Sequence, residues 1–187
     1  MRVQAFRTRS MRVVGGELRG RRLEAPRGND IRPTAERTRE AIFSILYDVR
    51  DARVLDLFAG TGALGIEALS RGAAHATFVD SSQIAISTIA LNVSHLRLRE
   101  RSALVRAELG AGWPAAGTFD LVFADPPYAT ASTFGPILTR ELPGVLAPGA
   151  RVVTECDHRA PIELGLPLRL ERRYGDTLVR VYERAEP

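Results

Sequence analysis

Two short turns carry residues whose types and spacing could perform chemistry. The first lies within residues 54–67, VLDLFAGTGALGIE, where an apolar segment meets a helix-forming segment through Gly60 and Gly62. Backbone N–H groups and a helix N-terminus converge at such a turn. Glycine accepts positive φ and lets a ligand come close to the backbone. We therefore predict that this turn is a ligand-binding loop.

The type of ligand has to be inferred from the acids near this loop. Residues 60–65 satisfy the dinucleotide pattern G-x-G-x-x-G, and Asp80 could bind a ribose. Asp56, however, stands before the glycines, where a carboxylate would repel a pyrophosphate. S-adenosylmethionine (AdoMet) suits this position better, because it has a sulfonium and an ammonium group and no phosphate. A nicotinamide cofactor and a turn without a ligand are the alternatives.

The second turn is Asp125-Pro126-Pro127-Tyr128, which follows the apolar segment FDLVFA. Two prolines remove two N–H donors and stiffen the turn, so that its carbonyls and the Asp125 carboxylate are left as acceptors. Tyr128 adds a flat ring. An acceptor pair beside an aromatic ring fits a planar substrate that bears an exocyclic amine, with the amine lone pair aimed at an electrophilic methyl group. A rigid proline turn without function is the alternative.

The elements that must position both turns alternate along the chain. Helices are predicted at 63–70, 82–95 and 133–142, and strands at 54–58, 76–80, 103–106, 119–124, 150–155, 168–174 and 177–183. Such alternation predicts an α/β fold with a doubly wound, mostly parallel sheet. Strands one and four would be neighbours, and ligands bind beyond the carboxyl ends of such strands. The last two strands form a hairpin, so one of them is antiparallel.

Positive charge is concentrated near the N-terminus. Every basic residue apart from histidine is Arg, and residues 1–50 hold 12 arginines and 6 acids, against 14 arginines and 16 acids in residues 51–187. This asymmetry predicts a polyanionic partner, although a solvated basic tail is the alternative.

Residues 11–50 are expected to form a basic RNA-binding appendage ahead of a catalytic domain at 51–187. Two short strands, 12–16 and 21–25, would make a hairpin, and Thr34 would cap a helix in which Arg37 and Arg39 lie off the apolar face. Residues 1–10 are expected to be a disordered leader. The predicted nucleic-acid contacts are Arg12, Arg19, Arg21, Arg22, Arg32, Thr34, Arg37 and Arg39.

Length and composition limit the possible classes. The chain has 187 residues, which suits one α/β domain with a small appendage. Its single cysteine, Cys156, excludes an internal disulfide and a cysteine-rich zinc cluster. No apolar run is long enough to span a membrane, and the N-terminus lacks the apolar core of a secretion signal. We expect a cytoplasmic monomer without a metal.

Four motifs resemble the 16S ribosomal RNA guanine-N2 methyltransferase family, over residues 12–183. In the order of the chain they are RVVGG-x-LRGRRL, IRPTAERTREAIFSIL, LDLFAGTGALGIEALSRGA and FDLVFADPPY. The resemblance implies a seven-stranded, Rossmann-like class I AdoMet-dependent methyltransferase that acts on 16S rRNA or the 30S subunit. Two departures are Ser44, where the family more often has Asn, and Glu108, where Asp or Asn is usual.

The resemblance also implies roles for individual residues. Asp125 and the Pro126 carbonyl would hold the guanine amine, with Pro127 in the same turn, and Tyr128 would stack on the flipped base. Asp80 would bind the ribose hydroxyls, and Glu108 would lie near the adenine amine. The remaining cofactor contacts would be Asp56, Phe58, Ala59, Gly60, Thr61, Gly62 and Ser81. A DNA adenine or cytosine amino-methyltransferase and an inactive RNA-binding adaptor are the alternatives.

Overall fold

The computed structural model describes residues 11–25, 36–110, 117–127 and 131–186. The elements in chain order are α1 (Glu36–Leu46), β1 (Arg53–Leu57), α2 (Ala63–Ser70), β2 (His75–Asp80), α3 (Gln83–His95), β3 (Ser102–Arg106), β4 (Phe119–Ala124), α4 (Ala131–Glu141), β5 (Leu146–Asp157), β6 (Leu168–Tyr174) and β7 (Thr177–Glu183). Short 3-10 turns lie at Arg99–Arg101 and Leu142–Gly144. Within these ranges, no helix is long and apolar enough to cross a membrane.

The strands form one seven-stranded sheet in the order β3-β2-β1-β4-β5-β7-β6. Strands β1 to β5 pair in parallel, whereas β7 is antiparallel to both β5 and β6. The predicted doubly wound sheet and the neighbouring position of strands one and four are therefore confirmed. The order reverses between β1 and β4, which is where such sheets bind ligands.

Most element boundaries agree with the sequence prediction, and α2, β4, β6 and β7 agree to the residue. The clearest difference is β5, predicted at 150–155 and observed at Leu146–Asp157. Pro148 and Gly149 would normally interrupt a strand. Here the β4–β5 pairing shifts register between Phe119 and Leu121, so the irregular residues lie at a bulge.

Hydrophobic cores cover both faces of the sheet. One core joins α1, α2 and α3 to the sheet and includes a contact between the rings of Phe43 and Phe123, whose centroids lie 5.6 Å apart. The other core contains Leu138 of α4, together with Leu57 and Val122 of the sheet. The functional turns are thus held between two packed layers.

Residues 11–25, which we call the arm, lie against the first core. Met11, Val13 and Leu23 are buried in it. The antiparallel pairing of the two predicted short strands is present, but it is limited to a single bridge between Arg12 and Arg22, so the predicted strand lengths are wrong. Backbone bonds from Val13 N–H to the Arg21 carbonyl and from Leu23 N–H to the Met11 carbonyl join the two sides of the arm, and other N–H groups of the arm bond to α2. Residues 1–10, Arg32 and Thr34 lie outside the described residues.

Candidate active site

The loop after β1 has the unusual backbone that its glycines predict. Gly60 and Gly62 have φ of 56° and 79°, and Phe58 also has a positive φ, of 60°. A Cβ at Gly62 would lie 3.3 Å from side-chain carbons of Phe78 and Ile89, so the loop is also packed tightly from below. Both the backbone angle and the close packing favour glycine at position 62.

Asp80, the last residue of β2, fixes this loop from the side. One of its carboxylate oxygens accepts a hydrogen bond from the Gly60 N–H at 2.9 Å, and the other accepts one from the Ser82 N–H at 2.8 Å. Ser82 in turn caps α3 by accepting from the Ala85 N–H. Each oxygen of Asp80 keeps acceptor capacity beyond these bonds, because a carboxylate offers about four lone-pair sites.

Asp56 lies beneath the loop and is almost fully buried. Its Oδ2 atom accepts a hydrogen bond from the Gly65 N–H at 2.9 Å. Burial raises the pKa of Asp56 well above its ordinary value, and the nearby Asp125 and Asp80 carboxylates raise that pKa further, against the Gly65 bond. The expected repulsion between an ionised Asp56 and a pyrophosphate is thus weaker than the sequence suggested, because the raised pKa favours the neutral form.

An open cleft lies beside the loop, with about 540 Å³ of empty space including its mouth. Apolar residues form most of its wall, and the rings of Phe58 and Phe134 meet edge to face with centroids 4.6 Å apart. Asp80 and Glu108 are the charged residues among those that the structure shows lining it. The lining residues are Phe58, Val79, Asp80, Ser81, Ala107, Glu108, Leu109, Pro127 and Phe134.

This lining fits AdoMet better than a dinucleotide. Two carboxylates face the cleft, and no Arg lies among the described residues that line it, so a pyrophosphate would find repulsion and no ion pair. A neutral adenine suits the apolar wall, and ribose hydroxyls can donate to Asp80. Asp80 and Glu108 are therefore acids that disfavour a pyrophosphate at this cleft, in addition to the predicted Asp56.

The second turn reaches the same cleft. Leu57 and Ala124 are register partners in the parallel β1–β4 pair, so both strands end at the same edge. Asp125 is half-buried, Pro126 is buried and Pro127 is exposed at the cleft wall. Of this turn, Pro127 lines the same cleft as Phe58 of the first turn, and Tyr128 lies outside the described residues.

The residues predicted to bind the cofactor differ in their position relative to the cleft. Phe58, Asp80, Ser81 and Glu108 line it. Ala59 and Thr61 are buried, Gly60 is half-buried, and the hydroxyl of Thr61 lies 3.9 Å from the Met11 sulfur. Sequence reasoning missed Val79, Ala107, Leu109 and Phe134, although the first three lie within two residues of the predicted acids Asp80 and Glu108.

The predicted RNA-binding arginines fall into two groups. Arg12, Arg19, Arg21, Arg22 and Arg37 are exposed. Arg39 is not on an exposed rim, and that prediction is wrong.

Arg39 lies on the buried face of α1 with Ile42, Phe43 and Leu46, at spacings of three, four and seven residues. Its guanidinium lies 3.7 Å from Glu67 and donates to the Arg12 carbonyl at 2.5 Å. Its side chain is 0% exposed, so it cannot contact RNA in this structure.

The sheet order, the glycine loop after β1 and the acid at the end of β2 define a class I AdoMet-dependent methyltransferase. The family model described as "Conserved hypothetical protein 95" matches residues 11–183. The ribosomal RNA small subunit methyltransferase D of Escherichia coli K12 is 35% identical over 183 residues, which cover 93% of this chain and 90% of that protein. The chain therefore belongs to the family of small-subunit ribosomal RNA methyltransferase D.

Solved structures agree with this assignment. Escherichia coli yhhF superposes with a TM-score of 0.78 at 31% identity, covering 95% of this chain and 99% of that one. An RNA methyltransferase from Salinibacter ruber in complex with S-adenosyl-L-homocysteine has a TM-score of 0.66 at 16% identity, covering 83% and 95%, and shares the fold. Membership of this methyltransferase family favours AdoMet over a nicotinamide cofactor and an enzyme over an inactive adaptor.

Proposed function

We propose that the protein transfers a methyl group from AdoMet to the exocyclic N2 amine of a guanine in 16S rRNA. The supporting observation is the shared cleft, whose lining includes Phe58 and Asp80 beside the first turn and Pro127 of the second turn. A donor held at the first turn would lie beside a base held at the second. The name of the Escherichia coli relative supports the class of RNA.

The donor would be held by three groups of residues. Asp80 and Ser81 would bind the ribose hydroxyls, and Glu108 would lie near the adenine amine. The apolar wall, which includes Val79 and Phe134, would contact the faces of the adenine. The loop at residues 58–62, supported by Asp56, would hold the methionine part.

The acceptor would be held by the second turn. The Asp125 carboxylate and the Pro126 carbonyl would accept the hydrogens of the amine and aim its lone pair at the methyl group. AdoMet supplies a methyl group already activated by its sulfonium. The N–C bond would form as the S–C bond breaks, S-adenosylhomocysteine would leave, and the Asp125 carboxylate would accept the proton that the amine loses. Positioning would account for most of the acceleration.

RNA would reach the cleft across the arm. The exposed residues Arg12, Arg19, Arg21, Arg22 and Arg37 offer guanidinium groups that can bind phosphates, and Arg32 and Thr34 belong to the same predicted surface. The substrate would be 16S rRNA or a 30S assembly particle, and the enzyme would act as a monomer.

The test is the identity of the methylated nucleoside. Purified protein is incubated with methyl-labelled AdoMet and with 16S rRNA or 30S particles that lack the modification, and the RNA is digested to nucleosides. We expect label in N2-methylguanosine. Label in another nucleoside, or transfer to duplex DNA in a parallel reaction but not to RNA, would refute the proposed substrate.

A further inference from the structure

Asn92 is a polar residue in the buried face of α3, and its side chain is 1% exposed. Its amide bonds to two segments that are remote in sequence. The Oδ1 atom accepts the Glu24 N–H at 2.7 Å, while Nδ2 donates to the Glu24 carbonyl and to the Thr61 carbonyl, each at 3.0 Å. The amide thus satisfies both backbone groups of Glu24 and one of Thr61.

These two partners belong to the two predicted binding elements. Thr61 lies between Gly60 and Gly62 in the loop that would hold the donor. Glu24 lies near the end of the arm, two residues after Arg22. A side-chain amide that bonds to both holds the end of the arm at a fixed position relative to the cofactor loop.

A second contact holds the arm to the helix that begins at the same loop. The Glu67 carboxylate on α2 accepts the N–H groups of Val14 and Gly15, both at 2.7 Å. The Ser70 hydroxyl donates to the Gly15 carbonyl at 2.6 Å. A displacement of the loop and α2 would therefore be transmitted to the arm at both of its ends.

We infer that Asn92 is a positioning residue that couples the cofactor loop to the arm, so that donor binding and RNA binding strengthen each other. This inference rests on the proposed function, in which the arm binds RNA. A ligand at the loop that restricts the motion of Thr61 also restricts the motion of Glu24, because the Asn92 amide bonds to both. Linkage requires the effect to be reciprocal, and couplings of this kind are commonly about 5-fold or more in affinity.

The first test uses the unaltered protein and S-adenosylhomocysteine alone. Hydrogen exchange of individual amides is measured with and without this ligand. We expect the amide of Glu24 to exchange more slowly when the ligand is bound, together with those of Val14 and Gly15. The amide of His158, which donates to the Asp176 carbonyl beyond β5, is the control and should not change. Slower exchange at Gly60 and Gly62 with no change at Glu24 would overturn the inference.

The second test measures the coupling itself with variants. N92D keeps the size of the side chain and an acceptor for the Glu24 N–H, but its carboxylate has no donor for the Thr61 and Glu24 carbonyls. S87A, on the exposed side of the same helix, is the control. We expect S-adenosylhomocysteine to tighten the binding of 16S rRNA about 5-fold or more in the unaltered protein and in S87A, and less than about 2-fold in N92D.

The two tests separate this inference from the proposed function. If the unaltered protein binds RNA and methylates guanine but shows no coupling, the role of Asn92 is refuted and the proposed function stands. If the unaltered protein does not bind RNA, the proposed function fails, whereas the exchange measurement with S-adenosylhomocysteine still decides whether the loop and the arm move together.

Discussion

Asp56 shows how one residue of the loop can be tested without any substrate. Its pKa is raised in the folded protein, chiefly by burial, so the folded state keeps the proton at pH values where the unfolded chain has lost it. The free energy of unfolding therefore decreases as the pH rises from the ordinary pKa of the group towards its raised value. D56N cannot lose this proton, and its amide oxygen can still accept the Gly65 N–H.

We expect the free energy of unfolding of the unaltered protein to fall relative to that of D56N as the pH is raised from about 4.5 to about 8. Denaturant unfolding at several pH values measures this difference. D48N is the control, since Arg50 lowers the pKa of Asp48 and the effect of that shift is lost only at pH values below this range, so the difference between D48N and the unaltered protein should stay constant. A constant difference between the unaltered protein and D56N would show that Asp56 is ionised in the fold.

Asp125 has a different predicted role, because it lies on the acceptor side of the cleft. D125A should leave the affinity for AdoMet within about 3-fold and lower kcat by about 100-fold or more, the usual effect of removing one oriented polar group from a transition state. Calorimetry and single-turnover methylation give the two quantities. D120A, which removes an exposed carboxylate at the other end of β4, is the control. An equal loss of affinity and turnover in D125A would place Asp125 on the donor instead.

At the scale of elements, α2 connects the cofactor loop to the arm through one buried acid. The Glu67 carboxylate accepts two N–H groups of the arm, lies 2.8 Å from Arg71 Nε and 3.7 Å from Arg39 Nε, and its side chain is 1% exposed. Removing it takes one carboxylate away from the buried guanidinium of Arg39.

E67A should therefore reduce the free energy of unfolding by about 3–5 kcal/mol, as expected when one partner of a buried ion pair is removed. Chemical denaturation measures the change, and limited proteolysis should then cut the arm first. E171A is the control, because the Glu171–Arg180 pair is partly exposed and such pairs contribute about 1 kcal/mol or less. A loss in E67A no larger than in E171A would contradict this role of Glu67.

The helices and strands were predictable because the pattern of apolar residues in each segment agrees with its burial in the fold. FDLVFA is mostly apolar and follows Gly117-Thr118, and β4 occupies those six residues. Contacts between remote segments were not predictable in this way. Glu67 and Asn92 are polar residues on buried helix faces, and the backbone groups that they bind in the arm and the loop lie at least 31 residues away in sequence. Arg39 did carry a local signal, since its spacing to Ile42, Phe43 and Leu46 places it on the buried face.

At the scale of the whole molecule, two groups of exposed arginines lie near opposite edges of the sheet. The arm packs against α2 and α3, on the side of β1 to β3, and exposes Arg19, Arg21 and Arg22. Edge strand β6, at the opposite end of the sheet, also exposes three arginines, Arg169, Arg172 and Arg173. Arginine content alone therefore does not identify the RNA-binding surface. The two sets of three arginines carry equal charge, so their replacement can be compared.

Replacing Arg19, Arg21 and Arg22 with Ala should weaken RNA binding and reduce its dependence on salt. Each phosphate contact that is lost should lower the slope of log affinity against log salt concentration by about 0.7–0.9, because fewer counterions are released. Filter binding to 16S rRNA at several salt concentrations measures the slope. The same replacement of Arg169, Arg172 and Arg173 removes equal charge and should leave the slope near that of the unaltered protein. Equal effects of the two sets would mean that RNA responds to net charge alone, and that the arm is not a specific contact surface.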